Sequence, residues 1–575
     1  MNRYISNVPG GRGDNQNAGT SEECPWFDFT PLHQTKLQPG DKILLERGSC
    51  WNQQLNLVDS GEPRHWGLAI DAYGTGPRPK IIRNGDPLER CIVLTNPSHW
   101  RIANLELGHA GVGILIQYTT PGHEGLRFDN LLVHHCYGIF TRDMPPGPAR
   151  TKGIADRIFL SAGILITAAP LTLAPDECIC KDIRFDNIEG THNADSIALD
   201  PYDGDINGGY GNLGAEGRDE HGEFAFEDVI LNHCYLHDDD GANPGGIPDS
   251  LRLFRCRNLT LLNSWVDRAC GQYTTTGTAA VILVGQEDTR FVNSLFTRTP
   301  DTGSPDQCGI DFECCNRRVS LQNNYFGGHA GPGVEFLDIH GEHAFSEDHT
   351  VIGNAFEGNG WAAHGGQADS GGIHHHGLDL TTGVIRDNLV YEPGKPLYHG
   401  GFVHFELDNN LQAIRPLANS LNDFCGTQEA KGWRYQVLPA DGEWQDLPVY
   451  DEARQAWCYA ADDSRAWISR FEQFAAEAGA AVARAWQAPV DGTLAIRSRA
   501  LKTYAGGARV VLEITKNDEP VWGPQACLGD EREGHVADLD GLDVQAGDVI
   551  RFVVSGPAGW LVDGVSWAPT LAYLA

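Results

Sequence analysis

Two short phrases, Gly309-Ile310-Asp311-Phe312-Glu313 and Gly333-Val334-Glu335-Phe336-Leu337, carry the most chemically suggestive spacing in the chain. In an extended strand, alternate side chains face opposite sides. If Ile310 and Phe312 turn to a core, Asp311 and Glu313 emerge together on the other face. Aligning the second phrase on the first stacks Glu335 on Asp311, about 4.8 Å away on the neighbouring strand. Like charges stacked in this way are destabilising, so fold stability alone would not select them. One member of such a set is expected to keep its proton beside an ionised partner. That acid and base division is what glycoside hydrolysis uses. Asp311 directly over Glu335 suits the separation of about 5–5.5 Å of retaining enzymes. Glu313 and Glu335 on the diagonal, roughly 8 Å apart, suit inversion, and the sequence leaves both open.

The same alignment puts His374 in the Asp311 column and His376 in the Glu313 column. Earlier phrases add Arg252 to the first column and Asp200 to the second. Asp311, Glu335 and Glu313 are therefore the expected catalytic residues, with Arg252, His374, His376 and Asp200 around the substrate. Arg252 would hold one carboxylate ionised, and the histidines would bind sugar hydroxyls or tune the acid. The competing reading is a solvated acidic face or a cation site. In His374-His375-His376, alternation turns His375 inward. A zinc site there needs a further ligand from His340, His343 or Glu335. Asp203-Gly204-Asp205-Ile206-Asn207-Gly208 matches the first half of a calcium loop, without the closing Glu at its usual place. A structural calcium on Asp203, Asp205 and Asn207 is thus an expectation, and no cofactor is required. Asp238-Asp239-Asp240-Gly241 reads as a solvated turn.

These columns need an element that repeats, and the chain supplies one. A short alternating strand closing on Asn recurs at Asn130, Asn187, Asn263, Asn293, Asn323 and Asn354, with looser copies at Asn232 and Asn388. From Asn232 the steps are 31, 30, 30, 31 and 34 residues. After each comes a second strand that opens on a small residue, as in Ser196-Ile197-Ala198-Leu199, Ser250-Leu251-Arg252-Leu253 and Ala280-Val281-Ile282-Leu283. Short strands at a period of 20–50 residues mark a solenoid, whose coils bury their inner faces only by stacking. The repeated Asn reads as an internal ladder at a turn, where it satisfies backbone groups and tolerates a left-handed bend.

The first 95 residues run Pro25-Trp26, then Leu37-Gln38-Pro39-Gly40-Asp41-Lys42-Ile43-Leu44-Leu45, then Gly48-Ser49-Cys50-Trp51, then Tyr73-Gly74-Thr75-Gly76-Pro77. This series resembles the N-terminal cap and first coils of the pectate-lyase-like right-handed parallel β-helix superfamily of carbohydrate-active enzymes. The likeness reaches to about residue 410. It implies the fold well and the reaction poorly, because that group contains hydrolases, lyases and epimerases. Beyond it lie eight of the fourteen Trp, with strand-like runs at 494–498, 510–514 and 548–554. The ending Val562-Asp563-Gly564-Val565-Ser566-Trp567-Ala568-Pro569 resembles jelly-roll modules attached to glycan-active enzymes. The expected architecture is all-β: a right-handed parallel β-helix followed by a C-terminal β-sandwich of jelly-roll type. Its divisions are a cap and first coils (1–95), a catalytic helix (96–412), a linker (413–430) and a sandwich (431–575). A short helix is expected at 469–481. The sandwich would either cap the open end of the helix or bind glycan.

Composition narrows the partners. With 43 Lys and Arg against 77 Asp and Glu, the net charge is −34, which repels nucleic acid and anionic membranes. No stretch is apolar and long enough to span a bilayer, and the start MNRYISNVPGG has no signal-peptide pattern. Fifteen Cys without zinc-like spacing favour reduced thiols and a cytoplasmic address, with secretion after signal removal as the alternative. The leading expectation is a glycoside hydrolase acting on a neutral or weakly charged oligosaccharide or polysaccharide. A lyase or epimerase acting on a uronate-containing glycan is the first rival; it needs a Lys, Arg, His or Tyr base, and the strip has no Lys. Lys152, in the loop 145–152, is the nearest candidate. A non-catalytic glycan-binding protein is the second rival.

Overall fold

The computed structural model describes residues 1–57, 67–140, 159–168, 173–174, 177–201, 224–241, 248–274, 277–339, 346–362, 371–440, 442–460, 466–475, 480–502, 509–527, 533–556 and 564–574. Among the described residues up to 412, every interstrand pairing but one short hairpin is parallel, and strands pair with their equivalents one coil later. Three stacks result. An 11-stranded sheet forms one wall. Two further stacks merge into one 23-stranded assembly. They join where the long strands His123–Cys136 and Cys180–Thr191 bend from one wall to the next. This is a parallel β-helix.

The core runs along its axis. Stacked Phe128 and Phe185 have ring centroids 4.8 Å apart, and Phe296, Phe326 and Phe356 continue at 5.2 and 5.1 Å. Such columns arise because a parallel register repeats the same inward position on every coil.

The repeated Asn turns out to be two adjacent columns. Asn263, Asn293 and Asn323 sit at left-handed φ of 49°, 47° and 54° and point away from the axis. One residue later, Ser264, Ser294, Asn324, Asn354, Asn388 and Asn410 form the inner ladder. There Asn324 accepts from Ser294 N–H at 3.0 Å and donates to the Phe291 carbonyl at 2.8 Å. Asn354 and Asn388 repeat the pattern on the Leu321 and Val351 carbonyls. Asn354 therefore aligns with Asn324, not with Asn323, and Gly353 (φ 67°) takes the left-handed position on that coil. The true step there is 30 residues, read as 31 because the two columns hold the same residue type.

The outer column docks the C-terminal domain. Asn293 donates to Ser566 Oγ at 2.8 Å, Asn323 donates to the Ala568 carbonyl at 2.8 Å, and Ser566 Oγ donates to Asn263 at 2.5 Å. Leu295, Tyr325, Ala355 and Leu389 of the helix pack with Leu417, Leu421, Ala495 and Ala572. The domain thus lies along the flank of the β-helix. Its pairings are antiparallel, in 6-, 7- and 4-stranded sheets. Trp433, Trp457, Trp486 and Trp567 are buried between them, so half the C-terminal tryptophans serve packing. Within 413–430, Ala418–Asn419 already pairs with Thr570–Tyr573. The helix expected at 469–481 is absent from its described part, which holds the strand Glu472–Ala475 instead, because Gln473 and Glu472 pair with Val565 and Ser566. All fifteen cysteines are free. No described helix is long and apolar enough to cross a membrane.

Candidate functional site

The 11-stranded wall carries the acidic column. In register, Ala198 faces Arg252, Arg252 faces Ile282, Ile282 faces Asp311, Asp311 faces Glu335, Glu335 faces His374, and His374 faces His399. Ile310, Phe312, Val334 and Phe336 lie in the core on the opposite face. The two acids therefore leave the helix on one wall from adjoining coils. They are not solvated, however: Asp311 is 3% exposed and Glu335 is fully buried.

Glu313 departs from the expected column. Phe312 faces Leu283 and Cys314 faces Val284, so Glu313 is the extra residue of a β-bulge. A bulge bends the strand and re-aims its side chain. Glu313 is consequently half-buried beside Asp311, and it is Leu337 that faces His376. Burial drives Asp311 well above the ordinary carboxylate range, and the charge of Glu313 and a shared proton with it add to the effect. Asp306 and Glu335 push in the same direction. Asp311 Oδ1 is buried without a hydrogen-bond partner among the described residues.

His374 Nδ1 lies 2.9 Å from Glu335 Oε1. Burial, then the neighbouring His375, lower its pKa to about 4, so the ring is neutral at pH 7. A neutral Nδ1–H donating to Glu335 is the tautomer that satisfies both groups. His374 also stacks on His376 with centroids 5.6 Å apart and tilts over His399 at 5.2 Å. His375 turns into the core as expected. Its Nε2 meets Asp338 Oδ2 at 2.8 Å, and its ring packs on Phe402 and Phe405.

Arg252 does not serve Asp311. Its guanidinium lies 3.2 Å from Asp195 and 3.6 Å from Asp200, and Ile282 occupies the coil between it and Asp311. The sequence reading missed Asp195, Asp249 and Asp306. Burial pushes Asp195 well up against the pull of Arg252, and pushes Asp249 to about 7. A signal existed for two of them: Asp195-Ser196 and Asp249-Ser250 open equivalent phrases on neighbouring coils. Asp306 and Gln307 take left-handed φ of 66° and 49°, conformations that non-glycine residues adopt at a cost. Gly277 makes room for the Asp306 carboxylate, since a Cβ there would lie 1.2 Å from its Oδ2.

The acidic turn at 238–240 is also corrected. Asp239 is buried, accepts from Ser250 Oγ at 2.6 Å, Ser196 Oγ at 2.7 Å and Asn193 N–H at 2.9 Å, and is pushed up to about 7 by burial. Asp240 accepts from Tyr137 at 2.6 Å, and Asp238 pairs with Arg268. It is a structural knot, not a solvated turn. Asp203, Asp205 and Asn207, like His340, His343 and Lys152, lie outside the described residues.

No protein-family model matches the chain. A stretch of 87 residues is 40% identical to lacto-N-biosidase of Bifidobacterium longum subsp. longum, covering 14% of this chain and 5% of that protein. The chain therefore spans only a small part of that curated relative. Among solved structures, the GH136 lacto-N-biosidase of Eubacterium ramulus aligns with a TM-score of 0.49 and 16% identity over 71% of this chain and 68% of that one. An alginate lyase from a Paenibacillus species aligns at 0.34 and 13% identity, over 64% of this chain and 93% of that one.

Proposed function

We propose that the protein is a glycoside hydrolase acting on a neutral or weakly charged oligosaccharide at the outer face of the 11-stranded wall. Asp311 is the general acid and Glu335 the ionised partner. The observation that carries this reading is the register: two acids on adjoining coils in unlike surroundings. Asp311 keeps its proton through burial and the neighbouring Glu313. Glu335 is met by His374, an arrangement fitted to a carboxylate. Asp311 protonates the glycosidic oxygen as the bond breaks, and Glu335 stabilises or captures the positively charged sugar carbon. The strand spacing of about 4.8 Å favours retention of configuration. The short identity to a lacto-N-biosidase makes a lacto-N-biose glycoside the first substrate to try.

Among the described residues, the lyase and epimerase alternatives find less support. Those reactions need a cation to neutralise a uronate carboxylate, and Arg252 already sits between Asp195 and Asp200. The test is turnover on a panel of neutral aryl glycosides, the lacto-N-biose derivative included, with uronate polymers alongside. Asp311→Asn and Glu335→Gln should each lower kcat by about 10²–10⁴. Near wild-type turnover in either variant, or a new ultraviolet-absorbing double bond on the uronate polymers, would overturn the assignment.

A further inference from the structure

Away from the acidic wall, three imidazoles converge at another corner of the β-helix. His109 closes the strand Glu106–Ala110, and His134 and His135 close the next coil in the strand His123–Cys136. One nitrogen from each ring falls within a set whose members all lie within 4.8 Å of one another. His134 Nδ1 and His135 Nδ1 are 3.0 Å apart. Tetrahedral zinc, with Zn–N bonds of about 2.0–2.1 Å, places its ligand nitrogens roughly 3.3 Å apart. The pair already has a spacing close to that; His109 stacks on His135 with centroids 4.7 Å apart, and its exposed ring turns out of that stack to complete the trio.

Two further features favour a metal over simple ring stacking. His134 Nε2 lies 3.4 Å from Glu106 Oε1, and Lys80 Nζ holds both oxygens of that carboxylate at 2.8 Å. A carboxylate on the far nitrogen of a ligating histidine sets its tautomer and leaves the near nitrogen's lone pair for a cation. Position 108 is Gly, and a Cβ there would stand 2.7 Å from His134 Nδ1, so the ring lies over a place only glycine leaves open.

We propose that His109, His134 and His135 form a binding site for a divalent transition metal of the zinc class. Imidazole-only ligation suits zinc, nickel or copper and not calcium or magnesium. Two of the ligands come from one coil and one from the coil before it, so the ion pins consecutive coils together. His192 stacks on the outer face of His135 with centroids 5.2 Å apart.

The test uses untagged full-length protein freed of metal with a chelator. Cobalt(II) titration, read by its visible ligand-field bands, and zinc calorimetry should each report one bound equivalent. The His134→Ala, His135→Ala double variant should lose it. Glu106→Gln should keep the fold and weaken binding about 10–100-fold. His374→Ala, at the other histidine cluster, should leave the equivalent intact. Absence of a bound equivalent, its survival in the double variant, or its loss in His374→Ala would each overturn the site.

Discussion

Two stacked columns, on different walls of the same β-helix, show opposite solutions to burial. The inner Asn ladder at 324, 354 and 388 is neutral, and each amide both accepts a backbone N–H and donates to a carbonyl on a neighbouring coil. The column at 311, 335 and 374 buries two acids on adjoining coils, with one oxygen of Asp311 left without a hydrogen bond among the described residues. The first column gains stability at every step, because a satisfied buried amide costs little and a lost one costs much. The second spends stability on buried acids, one of which, Asp311, burial drives well above the ordinary carboxylate range. A repeat architecture makes the contrast visible, since the same backbone carries both.

The comparison is broken most sharply by exchanging acids for amides in the charged column. Asp311→Asn and Glu335→Gln should abolish most turnover, by about 10²–10⁴, while the folded state is kept or made more stable. Thermal unfolding beside kcat checks both halves; a variant that loses activity only because it unfolds would erase the distinction. The neutral column should respond the other way. Asn324→Ala strands the Ser294 N–H and the Phe291 carbonyl and should cost roughly 2–4 kcal/mol, read by chemical denaturation, with kcat unaltered in the folded fraction.

Acidity then sharpens the contrast. Burial raises Asp239 and Asp249 from an ordinary value of 3.8 to about 7. Between those values the folded state holds protons that the unfolded chain has released. Stability should therefore fall as pH rises from roughly 4 to 7, by up to about 1.4 kcal/mol per group for each pH unit. Asp249→Asn should flatten that slope in urea midpoints measured across the range. An unchanged slope would show that these carboxyls are not the ones that titrate. The smallest effect is expected at Gly277→Ala, which displaces the Asp306 carboxylate and, through it, the setting of Asp311. Turnover should drop about 10-fold with the pH profile shifted, since small misplacements of supporting groups are felt at the reacting atoms.

Much of this molecule was legible one coil at a time. Alternation in Gly309–Glu313 and Gly333–Leu337 was enough to put Asp311 and Glu335 on one wall and their apolar neighbours in the core. It was enough, too, to turn His375 inward and His374 outward. The recurring Asn announced the solenoid, although its two columns merged into one because a side chain's direction at a left-handed corner is not written in residue type. Local periodicity reports only a residue's own strand, so it stopped short wherever geometry depended on a neighbour. Glu313 left its column because the facing strand is one residue shorter there. Arg252 turned to Asp195 and Asp200, which come from another coil.

What the sequence determined by itself is the coil, its inward and outward faces, and the column that brings the acids together. Each of these follows from side-chain alternation and a repeat length, which are properties of the chain alone. Tertiary structure decided how deeply the acids are buried, which partner each charge finds, and where the second domain lies. Those are set by what closes over a surface, and that closure involves residues hundreds of positions away, as Ser566 on Asn263 and Asn293 shows.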